Sequence, residues 1–184
     1  MCSSDLLELP SLTLVSSRHP SLPDPSPAGM STLGAQSVSG DGRYVAFASE
    51  AWDLVASDTN GLSDVFVRDR LTGSNTLVSV GLGGTAGNGG STEPAISQDG
   101  RFVVFTSLAS NLVASDTNNA SDVFVRDLWT GETSLVSVSA GGVYPGNRAS
   151  STPQLSADGR IVLFRSTARD LTASQRFGPG WYWR

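Results

Sequence analysis

The chain is built on a tandem repeat, and that period restricts it to folds in which one unit stacks on a copy of itself. GDGRYVAFASEAWDLVASDTNGLSDVFVRDRLTG begins at Gly40, and QDGRFVVFTSLASNLVASDTNNASDVFVRDLWTG begins at Gln98. Asp41 and Asp99, Asp58 and Asp116, and Thr72 and Thr130 are each 58 positions apart. A third copy, ADGRIVLFRSTARDLTAS, begins at Ala157, and Asp99 to Asp158 is 59 positions. LTLVS at residues 12–16 matches the close of each repeat, TLVSV at 76–80 and SLVSV at 134–138, so it reads as the last strand of an earlier copy. Tyr182, Trp183 and Arg184 stand 58 positions after Phe124, Val125 and Arg126, which places them in a strand of the third copy.

Each repeat reads as four short strands. The first covers residues 35–39, 94–97 or 153–156, and the second 43–49, 101–107 or 160–166. The third covers 64–69 or 122–127, where DVFVRD alternates, and the fourth 76–80 or 134–138. β-Branched and aromatic residues fill these segments, and Gly, Asp, Asn and Ser bound them. No window sustains a helical period. Strands one and two join through Ser-x-Asp-Gly, where glycine supplies the positive φ of a tight hairpin. Strands three and four join through Asp-x-x-Thr-Gly, a turn the carboxylate can cap. The remaining connections, 50–63 and 81–92 with their equivalents, are long. Antiparallel alternation puts both tight turns on one face and both long loops on the other. Function on a rigid scaffold sits in such loops.

The pattern Ser-x-Asp-Gly-Arg, then Asp-Thr-Asn, then Ser-Asp-Val-Phe-Val-Arg-Asp resembles the TolB-like or WD-repeat-like propeller family, over residues 12–184. The expected fold is therefore all-β: a β-propeller of four-stranded antiparallel blades, about three of them present, in an incomplete ring. Residues 12–17 would close a preceding blade, 33–80 and 93–139 would be blades, and 152–184 a truncated blade. Residues 1–11 are set aside as a non-native or disordered N-terminus; MCSSDL at the start reads as a translated sequencing adapter. Neighbouring families fit less well. WD repeats need Gly-His and Trp-Asp in each blade, sialidase-type Asp boxes separate Asp from Gly, and kelch repeats need paired glycines. An isolated stack leaves apolar ends open, so this chain expressed alone is expected to oligomerise or to be poorly soluble.

The resemblance implies a protein-binding or ligand-binding scaffold that is not itself an enzyme. Its partner would be a protein or the remaining blades of a larger propeller, in an extracellular or periplasmic setting. The alternatives are the propeller domain of a larger serine peptidase of the prolyl-oligopeptidase kind, or a calcium- or carbohydrate-binding propeller. Composition narrows the rest. All 12 basic residues are Arg and scattered, and the net charge is −5, which opposes nucleic acid as a partner. No apolar stretch is long enough to span a membrane. A single Cys, Cys2, and a single His, His19, leave no disulfide framework and no Cys/His zinc site. His19 lies in a proline-rich loop with no repeat equivalent, no Gly-x-Ser-x-Gly elbow occurs, and GLGGTAGNGG has neither Lys nor a following helix. Asp69 and Asp127 recur blade by blade, whereas a glycosidase pair would be unique in position.

No cofactor other than calcium is indicated. The calcium candidates are Asp58, Asn60 and Asp64 with their copies Asp116, Asn118 and Asp122, all oxygen donors, whereas the ion takes six to eight. Turn capping by the same side chains is the favoured reading. Gln175 replaces the Asp in the third copy, which weakens the metal case. Trp52 in a long loop and Trp129 in a hairpin turn are irregular between copies; each can anchor a partner or pack on a neighbouring blade.

Overall fold

The computed structural model describes residues 29–173 and 179–184, and the readings of residues 1–17, His19 and Gln175 lie outside them. Eleven strands form three antiparallel sheets, and there is no helix among the described residues. The first sheet orders β1 (Ser31–Thr32), β2 (Tyr44–Ser49), β3 (Asp64–Asp69) and β4 (Ser74–Leu77). The second orders β5 (Ser91–Ile96), β6 (Phe102–Ser107), β7 (Asp122–Asp127) and β8 (Glu132–Leu135). The third orders β9 (Ser150–Leu155), β10 (Val162–Ser166) and β11 (Gly180–Trp183). Each sheet is a meander in chain order, and successive sheets touch through their faces. The first strands also meet side by side: Ile96 N–H donates to the Gln36 carbonyl at 2.8 Å, and Gln98 N–H to that of Ala157 at 2.9 Å. Three blades of an incomplete β-propeller account for this arrangement.

The seams follow from the period-2 alternation. In β6, Val103 and Phe105 point to one face and Val104 to the other. Phe105 and Phe124 stack at 5.9 Å and share one buried cluster with Ala46, Ala48, Val65 and Val67 of the first blade. Phe164 joins Ala95, Val104 and Val123 of the second blade in another. So a bulky aromatic face enters a face of small residues at each seam. Phe47 and Phe66 repeat the aromatic face on the side of the first blade turned away from the second. On the far side of the third blade the equivalents of Val65 and Val67 are Trp181 and Trp183, 56% and 74% exposed.

Two strand boundaries differ from the sequence reading. The first strand begins three residues earlier, at Ser91 and Ser150, because a serine pair ties it to the second strand. Ser91 Oγ donates to Ser107 Oγ at 2.9 Å and Ser150 Oγ to Ser166 Oγ at 2.8 Å. A bulge follows, with positive φ at Glu93 (55°) and Thr152 (53°). In the first blade the matching Ser31–Ser49 pair is kept at 2.9 Å, but two extra residues before Ser39 interrupt the strand. The fourth strand starts and stops earlier than expected, at Ser74–Leu77. Past Leu77 the ladder ends in a bulge, where Val78 and Ser79 N–H both approach the Val65 carbonyl, at 2.8 and 3.4 Å, and Ser79 turns its side chain inward to a buried carboxylate.

Candidate functional site

The long-loop face gathers the candidate ligands, and Asp64, the first residue of β3, is its fixed point. It is fully buried. Ser79 Oγ donates to its Oδ1 at 2.5 Å and accepts from the Val65 N–H at 3.0 Å. Asn60 Nδ2 donates to its Oδ2 at 2.6 Å and to the Gly87 carbonyl at 2.8 Å, while Asn60 Oδ1 accepts from Leu62 N–H at 2.7 Å. Asn60 thus closes its own turn and staples two long loops together. The second blade repeats the arrangement: Ser137 to Asp122 at 2.5 Å, Asn118 to Asp122 at 2.7 Å and Asn118 to the Gly146 carbonyl at 2.7 Å. Burial pushes the Asp122 carboxyl up to about 7, against the pull of the Ser137 and Asn118 bonds. Burial likewise raises Asp64.

Asp58 and Asp116 are different. They are 4% and 7% exposed, yet both oxygens of Asp58 and Oδ1 of Asp116 have no hydrogen-bond partner. Burial raises the Asp58 carboxyl to about 6; the charges of Asp64 and Asp53 add to this, and the nearby Asn60 backbone N–H opposes it. Asp58 also borders a cavity of about 320 Å³ lined by Trp52, Val55 and Thr59. Of the six calcium candidates, then, the asparagines and Asp64 and Asp122 are held in protein bonds, and Asp58 and Asp116 carry the spare acceptors. No cluster of three or more His, Cys, Asp or Glu suited to a metal occurs among the described residues.

A raised carboxyl makes a signed prediction. Between the ordinary value of 3.8 and about 6, the folded chain holds a proton on Asp58 that the unfolded chain has lost. Stability therefore falls as pH rises through that window. Asp58→Asn should gain of order 2 kcal/mol over the parent at pH 8 and nothing at pH 4, read from urea midpoints. An equal gain at both pH values would rule out charge burial as the cause.

The tight-turn face is ordered by ion pairs. Arg43 Nε and Nη2 hold Asp69 at 3.0 and 2.7 Å, and Arg101 holds Asp127 in the same forked way, Nη2 to Oδ2 at 2.6 Å. Those guanidinium bonds keep both carboxyls well below the usual carboxylate range. Arg101 lies between two rings, 4.7 Å from the centroids of both Phe102 and Trp129. Trp129 therefore has a packing role while keeping 72% of its surface exposed. Trp52, at the opposite face, is more enclosed.

No family model and no curated protein matches the chain. Solved structures do. A protein described as a TolB from Agrobacterium tumefaciens is 19% identical with a TM-score of 0.48, over 71% of this chain and 37% of that one. TolB from Acinetobacter baumannii is 17% identical with a TM-score of 0.42, over 78% of this chain and 33% of that one. The tricorn protease is 13% identical with a TM-score of 0.44, over 71% of this chain and 10% of its own. This chain spans about a third of the length of either TolB chain.

Sequence reading missed Ser79 and Ser137 as partners of the buried carboxylates. The signal was present: Leu-Val-Ser-Val recurs, and a serine kept inside an apolar strand needs a polar partner.

Proposed function

We propose that the chain is a non-catalytic propeller scaffold that binds a protein or other ligand. The observation that carries this reading is recurrence. The shifted carboxylates come in equivalent pairs that move in the same direction, Asp69 with Asp127 downward and Asp58 with Asp116 and Asp64 with Asp122 upward, and the second blade reuses the hydrogen bonds of the first. A catalytic group works at one unique position, whereas a scaffold residue is copied with its blade. The resemblance of the repeat to TolB-like propellers supports an extracellular or periplasmic setting, with a protein partner or further blades as its neighbours.

Panning displayed random heptapeptides against the immobilised 184-residue chain tests it. Saturable binders and no turnover of fluorogenic peptide or glycoside substrates are expected. Turnover that copurifies with the chain and disappears on substitution of one blade residue would overturn it.

Calcium binding is a second reading, supported by the spare oxygens of Asp58 and Asp116. Backbone carbonyls and water would have to complete the shell, since the asparagines and paired aspartates are engaged. Melting in millimolar calcium tests this: the ion should raise the melting temperature of the parent, less that of Asp58→Asn, and not that of the Asp58→Asn, Asp116→Asn double variant; no rise for the parent would overturn it.

A further inference from the structure

A groove of about 540 Å³ runs between the first two blades. One wall is the turn and loop of the first blade, Val80, Gly81 and Leu82; the other is β8 with Arg126 at its base. We infer that this groove binds an extended peptide segment, which adds as a strand along β8 and places an Asp or Glu side chain on Arg126. The inference rests on the reading of the chain as a binding scaffold and names the site and the ligand chemistry.

Arg126 supplies the first argument. It is half-buried, and its Nη1 donates to Thr133 Oγ1 at 2.8 Å. No carboxylate pairs with it among the described residues. Its burial lowers its pKa, and no neighbouring charge offsets this. By contrast Arg43 and Arg101 hold forked carboxylates. A guanidinium presents five donors, so most of the fork of Arg126 is left for an acceptor from outside.

Comparison with the next seam supplies the second argument. Arg184 is the repeat equivalent of Arg126, and there the guanidinium reaches across the seam. Its Nη2 donates to the carbonyls of Val138 at 2.8 Å and Ser139 at 3.4 Å. The matching residues beside Arg126 are Val80 and Gly81. Arg126 instead bonds within its own blade, which leaves the first groove unbridged and its cation unspent.

The edge of β8 supplies the third. β8 is the last strand of its sheet and pairs with β7 alone. Val136 N–H donates to the Val123 carbonyl, and antiparallel pairs alternate between bonded and unbonded. Ser134 opposite Val125 and Glu132 opposite Asp127 are then the bonded pairs. Thr133 and Leu135 direct their N–H and C=O groups outward, the spacing that strand addition needs. Glu132 also lines the groove, but along the strand its side chain alternates away from that of Thr133 and so from Arg126. A single cation beside a row of free backbone groups suits a peptide and not a polyphosphate backbone, which the net charge of −5 would also repel.

The heptapeptide selection tests both levels. Enriched peptides should alternate polar and apolar residues and carry Asp or Glu at one fixed position. In fluorescence anisotropy, Arg126→Gln should weaken the best of them at least tenfold, and Arg68→Gln, at the equivalent position of the first blade, should not. A copy of the peptide N-methylated at alternate residues should lose binding by a similar factor, a readout independent of whether any variant folds. Binders without acidic preference, or binders indifferent to both Arg126→Gln and N-methylation, overturn the groove and leave the scaffold reading standing. No saturable binder at all overturns both.

Discussion

Phe105→Ala should lower the stability of the chain by about 3–5 kcal/mol. Phe105 is fully buried and sits in the seam between the first two blades, stacked on Phe124 at 5.9 Å. The residues it faces include Ala46 and Ala48. Alanine side chains have no length with which to fill the hole, so the seam keeps most of the cavity. Denaturant titration should show a lower midpoint at an unchanged slope. At this chain length the loss corresponds to roughly 6–20 °C in melting temperature. A cost below 1 kcal/mol would mean that the two blades do not depend on each other's faces, and the packing described for the seam would be wrong.

Gly100→Ala should cost about 2–4 kcal/mol, from two separate sources. Gly100 has φ of 74°, where a side chain costs about 1 kcal/mol. Its Cβ would also sit 2.5 Å from Cδ2 of Tyr44 in the preceding blade. That ring has little room to move, because the Arg43 guanidinium lies 4.8 Å above its centroid. Overpacking of this kind costs about 1–3 kcal/mol. Gly42 is the control: its φ is 71°, but the nearest atom to an added Cβ is an Arg70 nitrogen at 3.7 Å. Gly42→Ala should therefore show the backbone cost alone. Tyr44→Ala in the Gly100→Ala background should recover part of the difference as a coupling energy. Equal costs at the two glycines, with no coupling to Tyr44, would remove the contact between the turn and the neighbouring ring.

Much of the architecture was legible because the repeat fixes it. DVFVRD marks β3 and β7 to the residue, since alternation, β-branching and the following turn all agree there. The Asp-Gly turn was legible as a turn, but its second purpose was not: that Gly100 and Gly159 lie against an aromatic ring of the preceding blade depends on stacking, which no local pattern encodes. The end of the fourth strand was misplaced for a related reason. TLVSV has strand propensity throughout, yet the ladder ends in a bulge past Leu77, where Ser79 turns its side chain to Asp64. The candidate site divides in the same way. Asp-Thr-Asn marked a turn, and Asn60 caps it as such a motif suggests. What the motif could not show is that Asp58 would be buried with both oxygens unpartnered, because that follows from how two long loops close over it. Arg126 was invisible as a special residue, since Arg68 and Arg184 occupy the same repeat position and only the local partners tell them apart.

The small-against-aromatic seam has an evolutionary consequence. Because the first two blades present similar surfaces, phenylalanines on one side and alanine, valine or threonine on the other, unequal crossing-over between their coding segments would insert or delete one whole blade with few new contacts to accommodate. The third blade is not interchangeable in this way. With Trp181 and Trp183 where its predecessors carry valine, a duplicate placed after it would meet bulk where its phenylalanines need space. Growth of the gene by duplication is therefore easier at the first two seams than at that surface, where the tryptophans would have to be replaced or repacked.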